Sequence, residues 1–206
     1  MSGAKAAAPK GRRGLYQKSA SVFRWLHIYI SMLSFGALFF FAFTGITLNH
    51  PTWFGAAEQT VRDLEGRFVP ELLTEDPDRL GIAERLREEH RLRGAVAEFR
   101  VSEYDYMVVF KGPGYAADIF IDRETGHYTV TETASGTMAL LNDLHKGRDS
   151  GAAWSWVIDV SAVITLLASL SGFGLLLYIK KRRVPGVFAA LAGTAVLVAA
   201  WAIWVP

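Results

Sequence analysis

The 206-residue sequence contains no cysteine, so its fold cannot depend on disulfide bonds. The absence of cysteine fits either side of a membrane and does not decide the compartment. The sequence also lacks a glycine-rich dinucleotide fingerprint and a flavin-site signature, so reducing equivalents for any redox reaction have to come from outside the chain. It is rich instead in apolar residues, at 51% of the total, and in aromatic residues, at 13%. These fractions exceed those of an average soluble domain.

Three long stretches contain no Asp, Glu, Lys or Arg: residues 25–48, 160–179 and 184–206. At helical rise the first is about 36 Å long, which is enough to cross a hydrocarbon core of about 30 Å. It is longer than a signal-peptide core, and no small-x-small cleavage site follows it. The sequence therefore predicts an α-helical membrane protein whose three transmembrane helices cover residues 25–50, 152–179 and 184–206.

Basic residues predict the orientation of these helices. Residues 1–24 and the loop 180–183 hold ten of the 22 basic residues and none of the 20 acidic ones, which is typical of cytoplasmic segments. Residues 51–151 then form one periplasmic domain of ordinary size, and a bacterial inner membrane is the natural setting. This domain has 12 basic and 19 acidic residues, a formal charge of −7, which as a whole favours cationic iron over anionic chelates.

The pattern of residues 76–94, "DPDRLGIAERLREEHRLRG", predicts one amphipathic helix with an Asp cap and a closing Gly94. Two β-rich runs follow, "AVAEFRVSE" and "DYMVVFK". After the turn "GPG", the run "YAADIFIDRETGHYTVTET" predicts two more strands around the turn "DRETG". The sequence thus predicts a small α+β domain.

Three segments resemble a known family. "IFIDRETGHYTV" is similar to the strand-turn-strand signature of PepSY domains, "LNDLHKGRDSGAAWSWVIDV" and the following span resemble the Leu-His segment of PepSY-associated transmembrane proteins, and "FRWLHIYISMLSF" resembles the start of their first span. The resemblance covers roughly residues 20–183. It implies a small inner-membrane protein of the group that includes haem-containing ferric and ferric-siderophore reductases. Larger relatives have more spans, so a dimer of this shorter form is expected.

The five histidines differ in their surroundings. His90 and His127 are expected to be solvated surface residues. His27 lies inside the first charge-free stretch, where an ionisable residue marks a functional site; an interfacial histidine at headgroup depth is the alternative. His50 lies at the other end of the same stretch, about 34 Å away at helical rise, so His27 and His50 cannot bind one metal ion.

His145 is the expected companion of His50, at the same depth on the neighbouring helix. Two imidazoles from adjacent helices can hold a haem iron between them, so both are predicted axial ligands of a haem b. Met138 could at most replace His145. Lys146 and Arg148 are predicted to contact haem propionates, with ordinary interface anchoring as the alternative. Asp143 or Asp159 is expected to orient an imidazole.

His27 lacks a partner histidine at its own depth, and a two-fold homodimer would bring two copies of His27 to one haem. One stripe of the first helix and the segment "SLSGFG", residues 169–174, provide small residues that allow the close approach of a macrocycle or of another helix. The stripe comprises His27, Ser31, Ser34, Leu38, Phe41 and Gly45. Residues 184–206 look like a packing or dimer surface.

These features predict transmembrane electron transfer through one or two haem b groups per functional unit. Electrons would enter from a cytoplasmic or membrane donor, which is a reduced flavin, a quinol or a reductase. They would leave to ferric iron or a ferric chelate in the periplasm. A non-catalytic PepSY scaffold or regulator and a haem-binding relay subunit of a larger complex remain alternatives. No nucleic-acid partner is predicted.

Overall fold

The computed structural model describes residues 10–69 and 73–206. It divides into two compact units, one formed by residues up to Leu38 with Val160–Pro206 and the other by Phe39–Asp159. The described elements are, in chain order, α1 (Lys10–Asn49), β1 (Gln59–Arg67), α2 (Arg79–His90), β2 (Ala95–Val101), β3 (Asp105–Gly112), β4 (Tyr115–Asp122), β5 (His127–Ser135), α3 (Thr137–Lys146), α4 (Gly151–Tyr178) and α5 (Arg183–Trp204).

Three helices, α1, α4 and α5, are long and apolar enough to cross a membrane. This confirms the predicted class of helical membrane protein. α1 extends well before the predicted start at residue 25, because its basic first turns continue the same helix. It ends at Asn49, just before the dipeptide His50-Pro51, where a proline disfavours helical geometry in the preceding residue.

The strands form one antiparallel sheet in the order β1-β5-β4-β3-β2, which we call the sheet domain (residues 59–135). Inward-facing side chains of β3, β4 and β5 form its core with the apolar face of α2. Burial of these side chains is the main force that holds the domain together. The core side chains with no measurable exposure are Leu86, Tyr106, Val108, Phe110, Ala117, Ile119, Ile121 and Val130.

Strand β1 was not predicted. Its sequence, "QTVRDLEGR", has only two large apolar residues and no hydrophobic alternation, and most of its side chains are exposed. It forms because it pairs with β5 along its whole length, from Gln59 opposite Ser135 to Arg67 opposite His127. Backbone hydrogen bonding at the sheet edge, rather than apolar patterning, defines this strand.

Helix α2 begins as predicted but ends earlier. The carboxylate of Asp78 accepts a hydrogen bond of 2.9 Å from the N–H of Gly81, so it caps the first turn. The helix closes at Arg91, which has a left-handed backbone with φ 55°, and not at Gly94. Gly94, with φ 82°, shapes the turn into β2, where a side chain would meet the carbonyl of Lys111.

The two surface histidines have different environments. His127 is exposed, as predicted, and lies 3.7 Å from Glu65. The prediction for His90 is wrong, because its Nε2 atom lies 2.9 Å from the hydroxyl of Tyr128 and its side chain is half-buried. The end of α2 folds over the sheet core and brings the imidazole to that phenol. Burial, assisted by a hydrogen bond with Glu89, raises the pKa of Tyr128 to about 12.

Candidate cofactor-binding histidines

His145 lies on α3, a short helix separate from the span that follows it. We expected His145 at the entry of the second transmembrane helix, but Gly147 closes α3 in a left-handed conformation and α4 begins only at Gly151. α3 is a short amphipathic helix with Asn142, Asp143 and Lys146 among its ten residues, and it was assigned no element of its own from the sequence. As a result His145 belongs to a helix that can be oriented independently of the α4 axis.

The imidazole of His145 packs against one turn of α1. Its Nδ1 atom lies 2.6 Å from the hydroxyl oxygen of Thr44, which is fully buried. The ring of Phe41 meets the imidazole edge-on, with 5.1 Å between ring centroids. Gly45 has no side chain, and a methyl group there would be 3.8 Å from the imidazole Cε1 atom. The ring therefore lies directly over the α1 backbone.

The hydrogen bonds of Thr44 determine the proton position on His145. The single hydroxyl proton of Thr44 is donated to the carbonyl oxygen of Phe40 at 2.6 Å. Its oxygen then accepts a hydrogen bond from Nδ1–H of His145, and in a neutral imidazole this leaves the Nε2 lone pair free. No described residue makes a hydrogen bond to Nε2 of His145. This is how proteins prepare a histidine to bind a metal.

His27 has an equivalent arrangement with α4. Its Nδ1 atom lies 3.2 Å from the carbonyl oxygen of Ala168, 3.0 Å from the hydroxyl of Ser171 and 3.2 Å from the hydroxyl of Ser31. With the proton on Nδ1, the imidazole donates to the carbonyl oxygen of Ala168, which can only accept, and the Nε2 lone pair is left free. A methyl group on Gly172 would be 2.9 Å from Cε1 of His27, so only glycine leaves room for the ring.

The two histidines thus share a motif, a hydroxyl residue followed by glycine on the facing helix. Thr44-Gly45 serves His145 and Ser171-Gly172 serves His27. In each pair the hydroxyl binds Nδ1 and the glycine lies against the ring. Sequence reasoning identified Gly45 and the segment 169–174 as small patches but missed Thr44 and the partner role of Ser171. Leu38, which was placed on the same stripe of α1, is instead exposed.

Neighbouring residues on α3 hold this helix in place. The hydroxyl of Thr47 donates to the side-chain oxygen of Asn142 at 2.7 Å, between two buried side chains. The carboxylate of Asp143 accepts from the N–H of Gly114 at 2.9 Å. The prediction that Asp143 orients an imidazole is therefore wrong, and Thr44 has that role for His145. Asp159 is exposed on α4 and has no polar partner among the described residues.

His50 has different contacts from His145. It follows the last residue of α1, and its ring stacks on Trp53 with 3.9 Å between centroids and 9° between planes. His50 is six residues beyond Thr44, so a helical path turns it about 240° away from the face that contacts His145. The structure therefore does not bring these two imidazoles together, and their pairing stays a prediction. Lys146 and Arg148 are exposed, and their contact with propionates also stays a prediction.

At each of the two positions the candidate metal ligand is a single imidazole. Within residues 10–69 and 73–206, no group of three or more His, Cys, Asp or Glu side chains comes together. A haem brings four nitrogen ligands of its own and needs only axial ligands from the protein. Two imidazoles with free Nε2 atoms, each oriented by a hydroxyl, fit such a group. Phe41 beside His145 adds an apolar surface of the kind that a macrocycle contacts.

Comparison with known proteins gives one match. The family model described as "Putative PepSY_TM-like" matches residues 21–206, which include α1, the sheet domain, α3, α4 and α5. No curated protein and no solved structure matches the chain. Because the model covers nearly the whole sequence, the chain belongs to the PepSY_TM-like family, and the sheet domain is its PepSY-like part.

Proposed function

We propose that this member of the PepSY_TM-like family binds haem b through His27 and His145 and carries electrons across the bacterial inner membrane to a ferric species in the periplasm. One observation carries the proposal. In both His27 and His145 the Nδ1 atom contacts a hydroxyl whose neighbouring glycine lies against the ring, and an Nδ1–H tautomer leaves Nε2 free to bind a metal.

The residues of the chain supply orientation and electron density to the iron. Thr44 and Ser171 fix the tautomer and the plane of each imidazole, and a hydrogen bond from Nδ1–H makes the ring a stronger donor through Nε2. Haem, when bound, supplies reversible one-electron oxidation and reduction of its iron. Gly45 and Gly172 keep the rings close to the helix backbones.

The two ligand positions lie far apart along α1. His27 and Thr44 are separated by 17 residues, about 26 Å at helical rise, so one haem cannot contact both. In the proposed orientation His27 is near the cytoplasmic face, because the basic residues 1–24 and 180–183 stay inside. Electrons from a reduced flavin, a quinol or a reductase enter there and leave on the periplasmic side, beside His145.

A haem held at either histidine would take a second ligand from the protein. For the haem at His145 the proposed ligand is His50, which must leave its stack on Trp53 to reach the iron. For the haem at His27 it is His27 of a second chain in a two-fold homodimer. Lys146 is proposed to meet a propionate at the periplasmic surface, and Arg148, which lies 3.8 Å from Asp143, would have to leave that carboxylate to do the same.

Optical spectra of the purified chain test the proposal. Oxidised and dithionite-reduced spectra are compared for the wild type and for the variants His27→Ala, His50→Ala and His145→Ala. His127→Ala is the control, because His127 is an exposed histidine of the sheet domain. We expect low-spin b-type bands that lose one component with His145→Ala and a different component with His27→Ala. The control should match the wild type. A colourless protein, expressed with ample haem, contradicts the proposal and leaves the sheet domain as a binding module on a membrane anchor.

A further inference from the structure

A pocket of about 250 Å³ lies within the second compact unit, where the sheet domain meets α3. Its walls come from the start of β1, the β3–β4 turn, the end of β5 and the connection from α3 to α4. This is the end of the sheet domain from which the chain continues into the membrane helices. The lining residues are Gln59, Lys111, Gly112, Gly114, Tyr115, Ala116, Thr133, Ser135, Asp143, Arg148 and Asp149.

The charges in this pocket differ from those of the domain as a whole. The segment 51–151 has a formal charge of −7, whereas the pocket lining is formally neutral, with the cations Lys111 and Arg148 against the carboxylates of Asp143 and Asp149. The carboxylate of Asp143 is already engaged by the N–H of Gly114 at 2.9 Å and by Arg148 at 3.8 Å. Neither Lys111 nor Asp149 forms an ion pair with any described residue, so the ammonium group of Lys111 is available to an anionic group of a ligand and the carboxylate of Asp149 to a hydroxyl donor or a cation.

The other pocket groups are neutral and polar. The amide of Gln59 and the hydroxyls of Thr133 and Ser135 can donate or accept hydrogen bonds, and the ring of Tyr115 forms part of the wall. This combination suits a ligand with both carboxylate and hydroxyl groups. The volume is slightly below the roughly 300–1,000 Å³ of common ligand pockets, so the ligand is a small chelate and not a bulky siderophore.

Helix α3 connects the pocket with His145. Asp143 faces the pocket, and His145 is two residues further along α3, about 200° around the helix. The pocket and the imidazole therefore lie on opposite sides of one helix whose full diameter is about 10–12 Å. An electron acceptor held in the pocket would therefore be separated from a carrier bound at His145 by about the diameter of one helix.

We propose that this pocket is the acceptor site, and that it binds a small anionic ferric chelate of the hydroxycarboxylate class. The chemistry rests on the proposed function above, in which one electron arriving beside His145 reduces Fe³⁺ to Fe²⁺ in the bound chelate. No bond to the protein forms or breaks in this step. The binding itself requires neither haem nor electron transfer, so the two proposals can fail separately.

Calorimetric titration with gallium(III) citrate, a redox-inert stand-in for the ferric complex, tests the site in the full chain. Lys111→Gln is the main variant because Lys111 has no part in haem binding, and Arg100→Gln is the control because Arg100 is an exposed cation of the same domain outside the pocket. Loss of the charged contact is expected to weaken binding by about tenfold or more. Lys111→Arg keeps the charge and is expected to bind within about threefold of the wild type.

Each outcome of the titration either supports or overturns the assignment of the pocket. The pocket assignment is overturned if the wild type does not bind gallium citrate. It is also overturned if Lys111→Gln binds gallium citrate as tightly as Arg100→Gln does. Both conclusions hold whether or not the protein binds haem. Selective loss with Lys111→Gln, together with thermal unfolding like that of the control, supports it. If that selective loss is found in a protein that takes up no haem, the pocket stands as a binding site for small hydroxycarboxylate chelates, while its role as an acceptor site fails together with the electron-transfer proposal.

Discussion

The hydroxyl oxygen of Thr44 lies 2.6 Å from Nδ1 of His145, although 101 residues separate the two in sequence. Thr44 is fully buried and uses its only proton on the carbonyl oxygen of Phe40. The hydroxyl can therefore only accept from the imidazole, and it holds one tautomer of His145. This contact makes the histidine suitable as a ligand through Nε2.

Replacing Thr44 by valine removes this acceptor with almost no change of volume. We expect Thr44→Val to lower the haem affinity of the His145 site by about 10–100-fold, as loss of an outer-shell partner does at other metal sites. The midpoint potential of the remaining haem should rise, because a less basic imidazole stabilises ferric iron less. Haem titration of the apoprotein and redox potentiometry measure both effects. Thr44→Ser keeps the hydroxyl and serves as the control; identical titrations for valine and wild type would refute the role of this hydrogen bond.

The glycines of the two motifs provide a matched pair of substitutions. An added methyl group on Gly172 would be 2.9 Å from the ring of His27, whereas one on Gly45 would be 3.8 Å from the ring of His145, an ordinary contact. Gly172→Ala should therefore displace His27 and reduce the spectral component that depends on it, while Gly45→Ala leaves the His145 component close to that of the wild type. Reduced-minus-oxidised spectra of the two variants decide this. Equal losses in both would contradict the geometry.

The buried hydrogen bond between Thr47 and Asn142 fastens α3 to α1. Asn142→Ala deletes one partner, and we expect the free energy of unfolding to fall by about 1–3 kcal/mol. Thr194→Ala is the control, since the exposed hydroxyl of Thr194 only bonds its own helix at Ala190, and its cost should stay within about 0.5 kcal/mol. Denaturant titration in detergent compares them. A variant of Asn142 that is as stable as the control would show that α3 is held by its other contacts.

Alkaline pH should destabilise the sheet domain through Tyr128. Burial raises the pKa of this phenol to about 12, so the folded state favours its neutral form. That stabilisation is complete below the ordinary tyrosine pKa of about 10 and is lost as the pH rises from about 10 to about 12. Unfolding titrations at pH 9 and pH 12 should therefore differ less for Tyr128→Phe than for the wild type. The same difference in both proteins would assign the alkaline loss to other groups.

Sequence patterns predicted the elements that depend on local composition. The three membrane helices follow from charge-free stretches longer than a bilayer is thick, and β2 to β5 follow from apolar and β-branched runs between turn residues. β1 and α3 were missed for opposite reasons. β1 is polar and forms because its backbone pairs with β5, whereas α3 is a ten-residue amphipathic helix too short to stand out as a pattern of its own.

The candidate site was only partly predictable. His27 and His145 were identified because an ionisable side chain within or beside a membrane helix is energetically costly and therefore indicates a functional site. Their hydrogen-bond partners were not, because a single Ser or Thr in a membrane helix looks like ordinary packing. Only the tertiary contacts select Thr44 for His145 and Ser171 for His27. His50 stacks on Trp53 in the structure, and its pairing with His145 remains a prediction.

The pairing of Gln59 with Ser135 has a topological consequence. The chain enters the sheet domain on β1 and leaves it on β5, and these two strands are hydrogen-bonded neighbours. Just beyond them, the N–H of Gly136 bonds the carbonyl of Glu58. Seen from the helices, the whole domain is an insertion with adjacent ends, the arrangement that tolerates excision or exchange of modules. A short hairpin turn between these ends would therefore bridge the same gap and keep α1 and α3 joined.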